Sequence, residues 1–81
     1  DLLFEEPDGT PVVVELKMNK IGREAINQLR RYMDWINKET HREPRGILVC
    51  KGIMPAFEED FKKLSGIKIY CYGWQLKIYP L

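Results

Sequence analysis

The sequence offers little of what a metal-stapled or redox fold needs: one histidine and two cysteines in 81 residues. Cys50 and Cys71 sit inside apolar, strand-like runs without CxxC spacing, and no histidines cluster near them. No Cys/His framework for zinc is present, and both thiols read as small buried hydrophobes of a protein in a reducing, cytoplasmic compartment. Long hydrophobic runs are missing too. None approaches the roughly 20 apolar residues of a membrane span, and no signal peptide is visible. A surplus of one charge sign is also absent: 13 basic against 12 acidic residues leave a net charge of +1. That excludes a polycation gripping nucleic acid by bulk charge alone. The first residue is Asp1, not Met, and the chain is expected to be a piece of a longer protein, forming a single domain over residues 1–81.

What is present is a globular balance, 44% apolar and 31% charged. The basic residues are unevenly placed. Lys17, Lys20, Arg23, Arg30 and Arg31 fall close together with only Glu24 among them, whereas Glu58, Glu59 and Asp60 gather elsewhere. For most of these groups a solvated surface charge is the simplest role.

Residues 1–6, DLLFEE, read as a strand, and Pro7-Asp8-Gly9 follows. Proline presets the first turn position, Asp tolerates the second and Gly accepts the left-handed conformation next, which describes a type I turn closed by a Gly bulge. This loop pairs Glu6 with Thr10, hence Leu2 with Val14 and Asp1 with Glu15. A two-residue loop would instead put Asp1 and Glu15 on opposite faces. Residues 11–18 form the second strand, and its three valines suggest an inner strand covered on both faces.

Asn19 offers a helix cap. From about Arg23 to Lys38, Ala25, Ile26, Leu29, Tyr32, Met33 and Ile36 recur at helical spacing, and Asn37 with Thr40 to Pro44 ends the pattern. Residues 45–50, RGILVC, read as a buried strand. Pro55 opens a second helix whose stripe is Phe57, Phe61 and Leu64, stopped by Gly66. Residues 67–72 and 74–79 alternate around Gly73, either as a terminal hairpin or as one strand and an irregular tail. The order is β-β-α-β-α-β(-β), an α/β fold with a mixed sheet flanked by helices and right-handed parallel crossovers.

The stretch VVVELK raises the chemical question. Asp1 opposite Glu15 places two like charges across a sheet, which is destabilising and worse if buried. A divalent cation removes the conflict. Two carboxylates and the main-chain carbonyl of Leu16 suit a hard ion such as Mg²⁺. Lys17, one same-face step beyond Glu15, would orient or deprotonate a water or hold a phosphate oxygen. The plainer reading is the solvent-facing half of an alternating strand, because an ExK pattern alone is common. Gln28 and Tyr32 share a helix face. Gln28 is either a half-buried boundary residue bonded to backbone or water, or reaches across to the site. Tyr32 either packs its ring in the core or lets its hydroxyl meet a phosphate. Trp35 and Trp74 could stack on a splayed base, although at least one is expected to pack inward.

Together, Asp1, then Glu15-x-Lys17, then Gln28-xxx-Tyr32 on the following helix resemble the PD-(D/E)xK nuclease superfamily, specifically its RecB-like branch with a QxxxY helix. The wording VVVELK…AINQLRRYMDWI followed by RGILV looks still more like the nuclease domain of NucS/EndoMS-type DNA endonucleases, over residues 1 to about 50. The resemblance implies a restriction-endonuclease-like core, here without the family's first helix and the further acid that helix can add. It implies a Mg²⁺- or Mn²⁺-dependent phosphodiesterase acting in DNA repair, with Asp1, Glu15 and the Leu16 carbonyl on the metal. Lys17 would handle the water, and Gln28 and Tyr32 would support site and substrate. Lys20, Arg23 and Arg31 are the expected DNA-backbone contacts, while Arg30 is expected on a different helical face. A homodimer, a separate DNA-binding domain, or both, would supply the grip that a charge of +1 does not. The alternatives are a non-catalytic binding or scaffolding module of the same fold, and an RNA-directed nuclease.

Overall fold

The Pro7-Asp8-Gly9 turn forms as its residue types require. Gly9 takes φ 89°; its N–H donates to the Glu6 carbonyl at 2.8 Å, and the Glu6 N–H donates to the Thr10 carbonyl at 2.9 Å. The Thr10 N–H also donates to Asp8 Oδ1 at 2.9 Å. These bonds join β1 (Leu2–Glu5) to β2 (Pro11–Leu16) as an antiparallel pair in which Leu2 faces Val14, the expected register. The computed structural model describes residues 2–72 and 78–80.

The remaining elements are β3 (Lys20–Ile21), α1 (Arg23–Thr40), β4 (Arg45–Cys50), β5 (Gly52–Ile53), α2 (Glu58–Lys62), β6 (Ile67–Tyr72) and β7 (Ile78–Pro80). A 3₁₀ turn, Pro55–Phe57, leads into α2. The main sheet runs β1-β2-β4-β6-β7, and β3 with β5 makes a small second sheet. The β2–β4 and β4–β6 pairs are parallel, and both outer pairs are antiparallel. The expected order of main elements is therefore present, with β3 and β5 added. Ile78–Pro80 pairs back on β6, which selects the terminal hairpin over an irregular tail.

One face of the sheet carries the core. Val13, Leu48, Cys50, Ile67, Ile69 and Cys71 pack under Ile26, Leu29, Met33 and Ile36 of α1, with Phe61 of α2 joining them. Gly46 lets α1 approach, since a Cβ there would lie 2.7 Å from Met33 Sδ and 3.0 Å from Ile67 Cγ1.

Several local expectations are corrected. The three valines are not covered on both faces: Val13 is buried, but Val12 and Val14 on the opposite face are only half-buried. Asn19 does not cap α1. Its carbonyl accepts the Lys51 N–H at 3.3 Å, and residues 20–21 pair with 52–53, so the helix starts after Gly22, with no side-chain cap. α1 runs on to Thr40 and ends where His41 turns left-handed, its N–H donating to the Asn37 carbonyl at 2.8 Å. α2 is shorter than the spacing suggests. It stops at Lys62 in a tightened last turn, with Lys63 N–H on the Asp60 carbonyl. Gly66 (φ 78°) belongs to the bend entering β6, not to the helix end.

Candidate functional site

Glu15 is buried, the one charged side chain so placed among the described residues. It lies on the core face of β2, level with Leu48 of β4. A carboxylate there needs a cation or strong donors. Lys17 supplies both: its Nζ stands 3.2 Å from Glu15 Oε1 and donates to Gln28 Oε1 at 3.3 Å. The Lys17 backbone is itself fixed, its N–H donating to the Val49 carbonyl at 2.8 Å. Three of the residues singled out by pattern thus form one connected group, joining the end of β2 to α1. The group sits at the carboxyl ends of the parallel strands β2 and β4, the edge at which open α/β sheets hold ligands.

Gln28 is exposed rather than half-buried. Its partner is neither backbone nor core but Lys17. Leu16 follows the last described β1–β2 pair, Leu2–Val14, and its side chain is exposed. Asp1, expected one register step before Leu2, lies outside the described residues, as does Trp74.

The basic residues divide. Lys20 and Arg31 are exposed. Arg23 is engaged elsewhere: its guanidinium pairs with Asp60 at 3.0 Å and lies over the Phe57 ring, 5.6 Å from the centroid, tying α1 to α2. Arg30 lines a notch with Asp34, Asn37 and Gly66, away from Glu15. Tyr32 is half-buried beside the core and stacks on Trp35. The packing role considered for it is the one seen, on the helix face it shares with Gln28.

Lys51 was not picked out by pattern. It follows β4 immediately, and its N–H bonds the Asn19 carbonyl, so the loop after β4 meets the loop after β2. The signal was available: a lysine directly after the apolar run RGILVC, as Lys17 follows VVVEL. The larger concavities, about 530, 440 and 510 Å³, are lined by other residues. Glu15, Lys17 and Gln28 stand at the strand-end edge of the sheet, with Gln28 exposed, Lys17 half-buried and Glu15 buried beneath them. Chemically, this edge offers a hard oxygen donor, an ammonium beside it and an amide that positions the ammonium.

Comparison with known proteins adds ancestry to this geometry. The family described as Endonuclease NucS C-terminal domain matches residues 1–70. Endonuclease NucS of Pyrococcus horikoshii is 41% identical over 64 residues, covering 79% of this chain and 24% of the relative. Endonuclease NucS of Methanopyrus kandleri is 33% identical over 76 residues, covering 85% of this chain and 29% of the relative. A solved structure, a repair endonuclease from Pyrococcus abyssi, superposes with a TM-score of 0.69 at 32% identity, over 85% of this chain and 30% of that one. The chain thus spans roughly a quarter of the length of the curated relatives it matches.

Proposed function

This chain belongs to the endonuclease NucS C-terminal domain family, and from that footing we propose that it is a metal-dependent DNA endonuclease domain of the PD-(D/E)xK type, working in DNA repair. The observation that carries the reading is the linked group Glu15–Lys17–Gln28. A buried acid, a lysine on it and a glutamine from the next helix are the parts a phosphodiester hydrolase needs beside its substrate.

The donors fit a hard divalent ion in kind. Glu15 and the Leu16 carbonyl present oxygen only, and Mg²⁺ is commonly held by one or two carboxylates with waters and substrate phosphates completing its shell. Asp1 is the second carboxylate of this proposal. A bound Mg²⁺ or Mn²⁺ would supply charge for the phosphate and a lowered pKa for water. Glu15 anchors that end of the site. Lys17 places its ammonium where charge grows on the phosphate in the transition state. Gln28 holds Lys17 toward the opening of the site, away from full neutralisation by Glu15. Lys20, Lys51 and Arg31 contact the DNA backbone and fix its position without reading sequence. Arg23 contributes by holding α2 against α1. With a net charge of +1, firm binding comes from a second DNA-binding domain or a second subunit.

Two measurements test this. Titration with Mn²⁺ raises the unfolding midpoint, by about 2.7 kcal/mol of added stability at a hundredfold excess over Kd, and Glu15→Ala removes the gain. Cleavage of mismatched, flapped and branched DNA, run beside structured RNA, requires the metal and is lost in Glu15→Gln. No metal-linked stabilisation of the unaltered chain would sink the metal site. Cleavage confined to RNA would replace the substrate. Metal binding without cleavage of any nucleic acid would leave a non-catalytic module.

A further inference from the structure

α1 carries on its outward side a tryptophan that the core does not use, stacked on a tyrosine that it does. Trp35 is 53% exposed, and its ring stacks on Tyr32 with centroids 5.9 Å apart and planes 10° from parallel. Tyr32 packs against the core, so it backs the indole and holds its orientation. A large flat apolar surface fixed in water is costly in itself, and aromatic groups of this kind are concentrated at binding surfaces.

The position of the pair indicates what it meets. Gln28, Arg31 and Trp35 follow one another at steps of three and four, so they line one stripe of the helix. The stripe begins at the candidate site, because Gln28 bonds Lys17 and Lys17 pairs with Glu15. At a rise of about 1.5 Å per residue, Trp35 lies about 10 Å along the axis from Gln28. Stacked nucleotides advance about 3.4 Å each, so a strand with one phosphate at Lys17 brings a base about three nucleotides away to Trp35. Arg31 stands between them as a phosphate contact. The stripe is mixed in charge: Glu24 stands one turn before Gln28, Arg31 lies between Gln28 and Trp35, and Lys38 and Glu39 flank the far end. A paired base in a duplex offers only its edges to a protein. A ring face is free only on an unpaired or extruded base.

The geometry points to Trp35, backed by Tyr32, as a stacking platform for one unpaired base of the DNA, about three nucleotides from the phosphate held at Lys17. This rests on the nuclease reading and adds to it one base-contacting side chain, Trp35 on the outward stripe of α1.

The test measures DNA affinity in EDTA, so that no cleavage intervenes, with the unaltered chain and with Trp35→Ala, Trp35→Phe and Lys17→Ala. The probes are oligonucleotides with a single-stranded arm in which one abasic site is moved along the arm. Because Trp35 is exposed, both of its variants should unfold within a few degrees of the unaltered chain. On the intact arm Trp35→Ala binds about five- to a hundredfold more weakly, the range that removing a stacking aromatic gives per base, and Trp35→Phe keeps most of the affinity. At one abasic position the unaltered chain weakens by a similar factor and Trp35→Ala weakens no further. If Trp35→Ala matches the unaltered chain on every probe while Lys17→Ala weakens binding, the platform is wrong and the nuclease reading stands. If the unaltered chain binds no DNA at all, the platform is overturned, while the nuclease reading, which assigns firm binding to a second domain or subunit, is judged by metal-dependent cleavage alone. If Trp35→Ala leaves DNA affinity alone but abolishes self-association in sedimentation, the pair is a protein contact and the proposal is overturned.

Discussion

Lys17 is the residue on which the candidate site turns, because it answers a stability problem and a chemical one together. Glu15 keeps only 10% of its side chain exposed and Lys17 keeps 33%. Replacing Lys17 with Met strands a buried carboxylate, at a cost of about 1–3 kcal/mol in urea unfolding. That is less than the loss of a fully buried pair, because Lys17 is partly screened by water already. Adding Glu15→Gln to Lys17→Met should recover much of it, since the stranded charge is gone. Cys50 carries the clearest pH signal. Burial, helped by the facing Cys71 thiol, pushes its pKa from 9.0 up to about 12. A group whose pKa is raised on folding stabilises fully below its unfolded value and ceases to do so as pH climbs toward its folded one. Stability should therefore decline between about pH 9 and 12, and Cys50→Ala should show a shallower decline across that window. Both thiols should resist alkylation at neutral pH while the chain is folded.

Among the elements, the contact of α1 with β4 is the tightest constraint. A methyl at Gly46 would meet Met33 Sδ at 2.7 Å, Ile67 Cγ1 at 3.0 Å and Leu29 Cδ2 at 3.3 Å. Gly46→Ala should cost about 1–3 kcal/mol in thermal or chemical unfolding, toward the lower end if the flexible Met33 gives way. How far each element could be read in advance follows from how local its causes are. The β1–β2 hairpin was legible because Pro7, Asp8 and Gly9 set the turn, and the turn sets the register. α1 was legible from its apolar spacing. Its start was not: Asn19 looks like a cap, but Lys20 and Ile21 are drawn into pairing with Gly52 and Ile53, more than thirty residues on. No local pattern encodes that partner. Glu15 and Lys17 were legible from the apolar run they close. The bond from Lys17 to Gln28 needed the crossover that brings α1 over β2.

Across the whole molecule, both sides of the sheet are not equal. The helix side holds the core, while the other side shows Leu2, Phe4 and Leu16 at 57%, 54% and 59% exposure, with Val12, Val14, Ile47, Val49 and Tyr70 half-buried between them. Parallel strands are normally covered on both faces, and open apolar patches of this kind mark contact surfaces or aggregation. The isolated chain should therefore bind a hydrophobic dye through this face, and Phe4→Lys with Leu16→Lys should reduce the signal without lowering the unfolding midpoint by more than a degree or two. Unchanged dye binding would place the apolar exposure elsewhere. Among the described residues, no helix is long and apolar enough to cross a membrane.

The amino-acid order alone determined the hairpin and its register, the main run of strands and helices, and the residue types that close β2 at the candidate site, because turn chemistry and apolar periodicity act over a few neighbours. Folding in three dimensions decided that Lys17 joins Glu15 to Gln28, that Arg23 is given to Asp60 and Phe57, that Lys51 reaches the Asn19 loop, and that Trp35 stays outside. Those outcomes depend on which segments the sheet and crossovers bring within a few ångströms, and distance in space is not written as distance along the chain.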